Sequence, residues 1–247
     1  MVKQERAARS RNSLVQAAAA QFDLDGYAGA SLSRICKAAG ISMGGLTFHF
    51  SSKEDLARAV EETGRASLQA TVDRVYARTG LPLRRLVSLT LELARQVEEE
   101  LVVRALLRLE RERPGAPQWS ALWHATARQL VQEAKDSGQL KATARPEAVA
   151  SLAVHLVTGA DVLARRARMP GASATESSAA LLAGIWTLVL AGILAPGQDM
   201  AGTLPDPAPR GPTPPAEPAP APRNGSVRGP LPGVSYERKP GRPAGRR

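Results

Sequence analysis

Apolar positions along the chain recur at helical spacing, and turn residues punctuate them. Leu14, Ala18 and Phe22 follow one another at i, i+4 and i+8 with Val15 and Ala19 beside them, and this stripe stops at Gly26. A shorter element begins after Ser31, which is placed to cap it, with Leu32 and Ile35 on one face and Gly40 as its stop. Ser42 is placed to cap a third, very short helix. Ser51 and Glu54 have capping-box spacing and open a long helix whose apolar positions Leu56, Val60, Leu68, Val72 and Val75 continue to about Arg78. Further helices are predicted over 82–98, 101–112, 117–136, 146–168 and 175–194, separated by Gly-Leu-Pro, Arg-Pro-Gly-Ala-Pro, Asp-Ser-Gly and Met-Pro-Gly. No alternating pattern of useful strand length occurs, so the expected class is all-α.

The texture changes at Pro196. Most of the 19 prolines lie beyond it, in a stretch with few aliphatic side chains. Such a segment buries too little surface to offset its ordering entropy, and disorder is expected from about residue 197. The expected organisation is a three-helix domain over 1–50, a larger helical domain over 51–196 and a basic, Pro-rich tail over 197–247. The apolar segment from Ser177 to Ala195, interrupted by Gly184, Trp186, Thr187 and Gly192, reads as a buried helix and not as a membrane span.

A formal net charge of +10, carried mostly by Arg, favours polyanionic partners, nucleic acid first and acidic membrane surfaces second. The single Cys36 excludes an intrachain disulfide framework and points to a reducing cytoplasm. The three histidines, at 49, 124 and 155, show no metal-ligand spacing, and no Gly-rich phosphate loop occurs, so neither an enzyme nor a cofactor is expected.

The stretch ISMGGLTFHF, Ile41 to Phe50, carries the most specific chemistry. Two short helices joined by Ala39-Gly40-Ile41, the second starting at a capping Ser, have helix-turn-helix spacing. On a helical wheel Leu46 and Phe50 share the buried face, with Met43 near its edge and Gly44 and Phe48 opposite. Gly44 and Gly45 each cost about 1 kcal/mol of helix propensity relative to Ala, which close approach of backbone to DNA would explain. Phe48 suits contact with a thymine methyl group, and Thr47 and His49 flank it. Lys53 and the amides after Ser51 offer a phosphate seat at a helix N-terminus.

The run from Ser31 to Leu56, SLSRICKAAGISMGGLTFHFSSKEDL, closely resembles the TetR-type repressor helix-turn-helix. The resemblance implies an all-helical homodimer that binds double-stranded operator DNA through Arg6, Arg9, Ser31, Ser42, Met43, Gly44, Gly45, Thr47, Phe48, His49 and Lys53, and releases it when a small molecule enters the C-terminal domain. The family commonly has Lys or another polar residue where Met43 stands, and Tyr where Thr47 stands. Both changes remove a backbone contact, which leaves Lys3, Arg6, Arg9 and Arg11 of the N-terminal arm either as substitutes or as an ordinary solvated face.

Within that family GGLTFHF, together with the start MVKQERAARSR, resembles the γ-butyrolactone autoregulator receptors. Their C-terminal domain carries a Trp about fifteen residues before a Gly-Glu-Leu-like helix end, and Trp123 stands in that relation to Gly138-Gln139-Leu140. This implies a γ-butyrolactone-like inducer in an apolar cavity lined by Leu106, Leu109, Trp119, Leu122 and Trp123, although either Trp also suits plain core packing. LAVHLVTGADVL resembles a Phe-Thr-Gly segment with a Gln two residues on. It makes Thr158 a hydrogen-bond donor to ligand, while Asp161 in place of the Gln leaves open a different small molecule. His155 reads as a hydrogen-bonded core residue. The last two long helices are expected to form the dimer interface, and the Arg238 to Arg247 segment has an AT-hook-like Gly-Arg-Pro core or is simply basic. A DNA-binding protein without a ligand is the rival reading.

Overall fold

The structure, a computed structural model, describes residues 2–113, 118–169, 171 and 176–204. Their helices are α1 Val2–Gly29, α2 Leu32–Ala39, α3 Met43–His49, α4 Lys53–Tyr76, α5 Pro82–Glu99, α6 Leu101–Glu112, α7 Ala121–Asp136, α8 Pro146–Ala167, α9 Ser178–Ile193 and α10 Met200–Thr203. The all-α class and the element order agree with the sequence pattern. Helix α1 is broken where the pattern stopped, because Gly26 takes φ 74° and ψ 178°, a backbone conformation that glycine adopts without steric cost. Pro82 and Pro146 open α5 and α8 in the first turn, where no amide partner is lost. The only sheet-like pairing among the described residues is one antiparallel bridge, Leu140 with Leu194.

Two apolar cores organise the helices. The N-terminal one gathers Leu14, Ala18 and Phe22 of α1, Ile35 of α2, Leu46 of α3 and Phe50, and it continues into Leu56 and Val60 of α4 and Val102, Ala105 and Leu109 of α6. The second contains the far half of α4, α5, α7 and the inner faces of α8 and α9. The core of the three N-terminal helices therefore extends past residue 50, because α6 packs against both α1 and α4.

Gly64 sets how closely α4 and α6 cross: a Cβ there would stand 2.7 Å from the Val102 carbonyl oxygen and 2.9 Å from Leu106 Cβ. Arg104 and Arg108 of α6 clasp the end of α1. Arg104 pairs with the Asp23 carboxylate at 2.8 Å, and Arg108 donates to the carbonyls of Asp23 at 2.6 Å and Leu24 at 2.9 Å. The guanidinium charge complements the negative end of the helical segment that stops at Gly26.

Two expectations differ from the structure. The order does not end at 197: α10 follows, with Asp199 accepting from Gly202 N at 2.9 Å, Arg84 donating to Gly202 O at 3.2 Å, and Leu204 packed on the larger core. Helix α9 is buried on one side only, through Leu182, Trp186 and Leu190, while Leu188 is 76% exposed. Helix α8 is long and apolar enough, by length and composition, to cross a membrane; here its inner face packs on α5 and α7, and its Asp161 is buried and ion-paired. The rest of the tail, including the Gly-Arg-Pro segment, lies outside the described residues.

Candidate nucleic-acid interface and ligand pocket

The turn between α2 and α3 is fixed by backbone chemistry. Gly40 adopts the left-handed conformation, φ 66° and ψ 31°, and Ile41 N donates to Cys36 O at 3.0 Å, closing α2. The Ser42 hydroxyl accepts from Gly45 N at 3.1 Å and starts α3. Leu46 and Phe50 point into the N-terminal core, each burial contributing about 1.5–3 kcal/mol. That orientation forces the opposite face outward: Phe48 is 79% and Met43 45% exposed, and Ser42, Gly44 and Thr47 are also exposed. His49 is half-buried, edge-on to Phe48 with ring centroids 5.0 Å apart.

The two glycines of α3 have different reasons. A Cβ on Gly45 would stand 2.7 Å from Ile41 Cγ2, so this glycine is explained by packing onto the turn. A Cβ on Gly44 would meet nothing closer than Ser42 Oγ at 4.0 Å. Of the two glycines, Gly44 has no packing reason within the fold.

Several polar groups named from sequence have internal duties. Ser52, not Ser51, caps α4, accepting from Asp55 N at 3.0 Å. Ser51 instead donates to the Asp55 carboxylate, and this bond, ahead of Ser52 and Arg58 and against burial, holds Asp55 below the usual carboxylate range. With Glu54 and Asp55 in its first turn, the N-terminus of α4 is already supplied with negative charge. Lys53 donates to Ala28 O at 3.3 Å, with its ammonium 4.8 Å from the Tyr27 ring centroid. Thr47 donates its hydroxyl proton to Gly44 O at 3.1 Å, and Ser31 makes no side-chain cap bond. Arg6 and Arg9 are exposed on α1, Arg11 lies 5.1 Å over the Phe50 ring, and the Lys3 side chain lies outside the described residues.

In the second core Trp119 and Trp123 lie 6.1 Å apart, with Leu106 and Leu107 in the same cluster and Leu122 packed against it. Trp123 is fully buried, and among the described residues its indole Nε1 has no hydrogen-bond partner. Trp186, equally buried, donates its Nε1 to Thr90 Oγ1 at 2.8 Å. An unmet buried donor costs about 1–3 kcal/mol, and in this respect Trp123 differs from Trp186.

Other members of the expected pocket are placed elsewhere. Leu109 lies in the N-terminal core, because α6 turns that side toward α1. Thr158 is exposed, donates to Val154 O at 2.9 Å, and stands off the buried stripe of Ala153, Val157, Ala160 and Ala164. His155 is also exposed, with Nδ1 2.7 Å from Ser151 O, in place of the core setting expected for it. Asp161 is buried against Arg111 at 3.1 Å and Arg165 at 3.3 Å, so its charge is matched within the protein.

A polar junction joins α6 to the N-terminal helices, and the sequence reading did not find it. Tyr27 N donates to Glu112 at 2.6 Å and the Tyr27 hydroxyl to Glu54 at 3.2 Å, while Arg113 pairs with Glu54 and with Glu61 at 2.6 Å. Burial, then Glu54, push the Tyr27 phenol up. Burial opposes the charge on Glu112, yet Arg108, the Tyr27 amide and Arg111 outweigh it and hold that carboxyl below its ordinary value. These partners lie as far as 85 positions apart in sequence, beyond the reach of any local pattern.

This geometry has relatives. Residues 14–60 match the family of bacterial regulatory proteins of the tetR type. The A-factor receptor protein of Streptomyces griseus is 30% identical over 204 residues, covering 80% of this chain and 68% of that protein. A crystal structure of a γ-butyrolactone receptor, an ArpA-like protein, superposes with a TM-score of 0.66 at 27% identity, covering 80% of this chain and 94% of that one. The TetR family protein CprB from Streptomyces coelicolor, solved in complex with its biological operator sequence, gives 0.63 at 29% identity over the same shares, 80% and 94%. The outward face of α3 on a helix-turn-helix, the helical second core and these likenesses have one reading: the chain belongs to the TetR family of DNA-binding regulators, a non-enzymatic family, and is related to the γ-butyrolactone receptors.

Proposed function

We propose that the protein is a dimeric repressor which reads an operator through the exposed face of α3 and leaves it when a small, largely apolar ligand of the γ-butyrolactone type binds beside Trp123. Phe48, outward on a helix whose Leu46 and Phe50 are hidden, is the observation that carries the DNA side of this reading. Ser42, Met43, Gly44 and Thr47 share its accessible side. Arg6 and Arg9 are placed to add phosphate contacts, whereas Lys53 contributes only after leaving Tyr27. The reading places the protein in the cytoplasm, where operator DNA lies.

The unpartnered Trp123 Nε1 supports the ligand side, since a lactone carbonyl is an acceptor that fits an apolar setting. The outward positions of Leu181, Gly184 and Leu188 on α9 and His155 on α8 form the face for two-fold pairing. Pairing is also what presents two recognition helices about 34 Å apart, one helical turn of DNA.

Thr158 turned outward, and Asp161 neutralised by Arg111, favour a variation on this theme. Thr158 is engaged by the Val154 carbonyl and Asp161 by Arg111 and Arg165, so a different small molecule with one acceptor is the second reading. Fluorescence anisotropy with labelled DNA flanking the protein's own gene, with and without γ-butyrolactones, separates the two. Release by a butyrolactone supports the first; release by another compound of the cell extract alone supports the second.

A further inference from the structure

A cleft of about 630 Å3 opens where the end of α1 meets α6 and the last turns of α8. Arg108, Arg111, Arg165, Arg166 and Arg168 line it, against the carboxylates of Asp23 and Glu112. Asp161 adds a third carboxylate behind Arg111 and Arg165, so five guanidinium groups face three negative ones.

The pairing within this group is incomplete. A single oxygen, Asp161 Oδ2, serves Arg111 at 3.1 Å and Arg165 at 3.3 Å, and the buried Arg165 Nε has no aligned hydrogen bond. Among the described residues the side chains of Arg166 and Arg168 take no hydrogen bond or ion pair. Burial lowers the basicity of Arg111; Asp161 opposes this, but Arg165, Arg108 and Arg168 push in the same direction. Excess positive charge held together in a concave surface is a standing electrostatic cost that an anion would relieve.

The remaining wall is apolar. Leu24 is 72%, Met169 66% and Val162 48% exposed, and all three line the same cleft. Large aliphatic side chains beside arginines suit an amphiphile better than a phosphodiester strand, which offers nothing to cover them.

We propose that this cleft binds a small organic anion with one carboxylate and an aliphatic chain, at a site separate from Trp123. The carboxylate takes the forked donors of Arg111 and Arg168, and the chain covers Leu24 and Met169. Because Asp23 and Leu24 stand just before the break in α1 at Gly26, while the other walls belong to α6, α8 and the two residues after α8, occupancy ties the N-terminal core to the second one. Val162 also belongs to the outward face of α8, so the cleft reaches the edge of the proposed pairing surface.

Octanoate is the probe, with 1-octanol as its uncharged counterpart and inorganic phosphate as the anion without a chain. Calorimetric titration of the full-length protein is expected to show saturable octanoate binding, with octanol and phosphate each weaker by about tenfold or more. The variant Arg166→Gln/Arg168→Gln breaks no bond seen in the structure. It is expected to lose octanoate affinity by a similar factor with an unchanged helical spectrum, while Trp123→Phe retains it. Equal binding of octanol, octanoate affinity indifferent to the arginine pair, or octanoate affinity lost with Trp123→Phe overturns the proposal. So does an arginine variant whose only defect is weaker, less salt-dependent operator binding, which would make the cleft a DNA phosphate seat.

Discussion

Gly64 of α4 faces the Val102 carbonyl of α6 so closely that a Cβ on Gly64 would stand 2.7 Å from that oxygen. The contact is backbone to backbone, and neither helix can yield without moving the other. Since α6 also clasps α1 through Arg104 and Arg108, a shift of α6 reaches the helix-turn-helix along two routes. Gly64→Ala is expected to destabilise the protein by about 1–3 kcal/mol and to weaken operator affinity by changing the set of α4. Thermal melts and operator titrations check both effects; a variant of wild-type stability would mean that the crossing is looser than described.

Replacing Trp123 by Phe removes only the indole donor and part of the ring. Operator binding is expected to stay within about twofold, while ligand affinity falls by roughly tenfold, the worth of one hydrogen bond in an apolar site. Trp186→Phe is the control. It removes the donor to Thr90 Oγ1, whose hydroxyl keeps its bond to Val87 O at 2.8 Å, and is expected to cost about 0.5–1.5 kcal/mol of stability without altering the ligand response. An identical outcome for the two tryptophans would dissolve the distinction between them.

Phe48→Ala removes an exposed ring, so stability is expected to change by less than about 0.5 kcal/mol. Specific affinity is expected to drop by about 1–3 kcal/mol, the range for one base-reading contact, with non-specific binding unchanged. Competition titrations with operator and random DNA read the two separately.

Glu112 gives a prediction for pH. Its folded carboxyl lies below the ordinary value of 4.5, so the native state binds fewer protons than the unfolded chain near that pH. The stability it contributes is fully present above pH 4.5, the unfolded value, and is lost as pH falls through the lower, folded value. Glu112→Gln is expected to flatten the acid side of the stability profile. Denaturant melts between about pH 3 and 7 measure it, and parallel profiles for wild type and variant would contradict the assignment.

The sequence made the helices legible because each carried its own punctuation. Gly26, Gly40, Pro82 and Pro146 all stand at breaks or starts seen in the structure. The two faces of α3 were readable for the same reason, since Leu46 and Phe50 are four residues apart and must share a side. Local spacing does not tell which of two cores a helix face meets, so Leu109 was assigned to the wrong neighbours and the outward turn of Thr158 went unseen. It also could not tell Ser51 from Ser52 as the cap, because both stand next to an acidic first turn. The α6 junction, with Tyr27, Glu112 and Arg113, depends on partners brought together only by folding.

Footprinting of the DNA flanking the protein's own gene, by wild type and Phe48→Ala in parallel, bears most directly on α3 as the reading element. Two protected half-sites one helical turn apart are predicted for the wild type, cleared by the inducing ligand and faint or missing for the variant. Protection of the same bases with the same strength by both proteins would contradict the account.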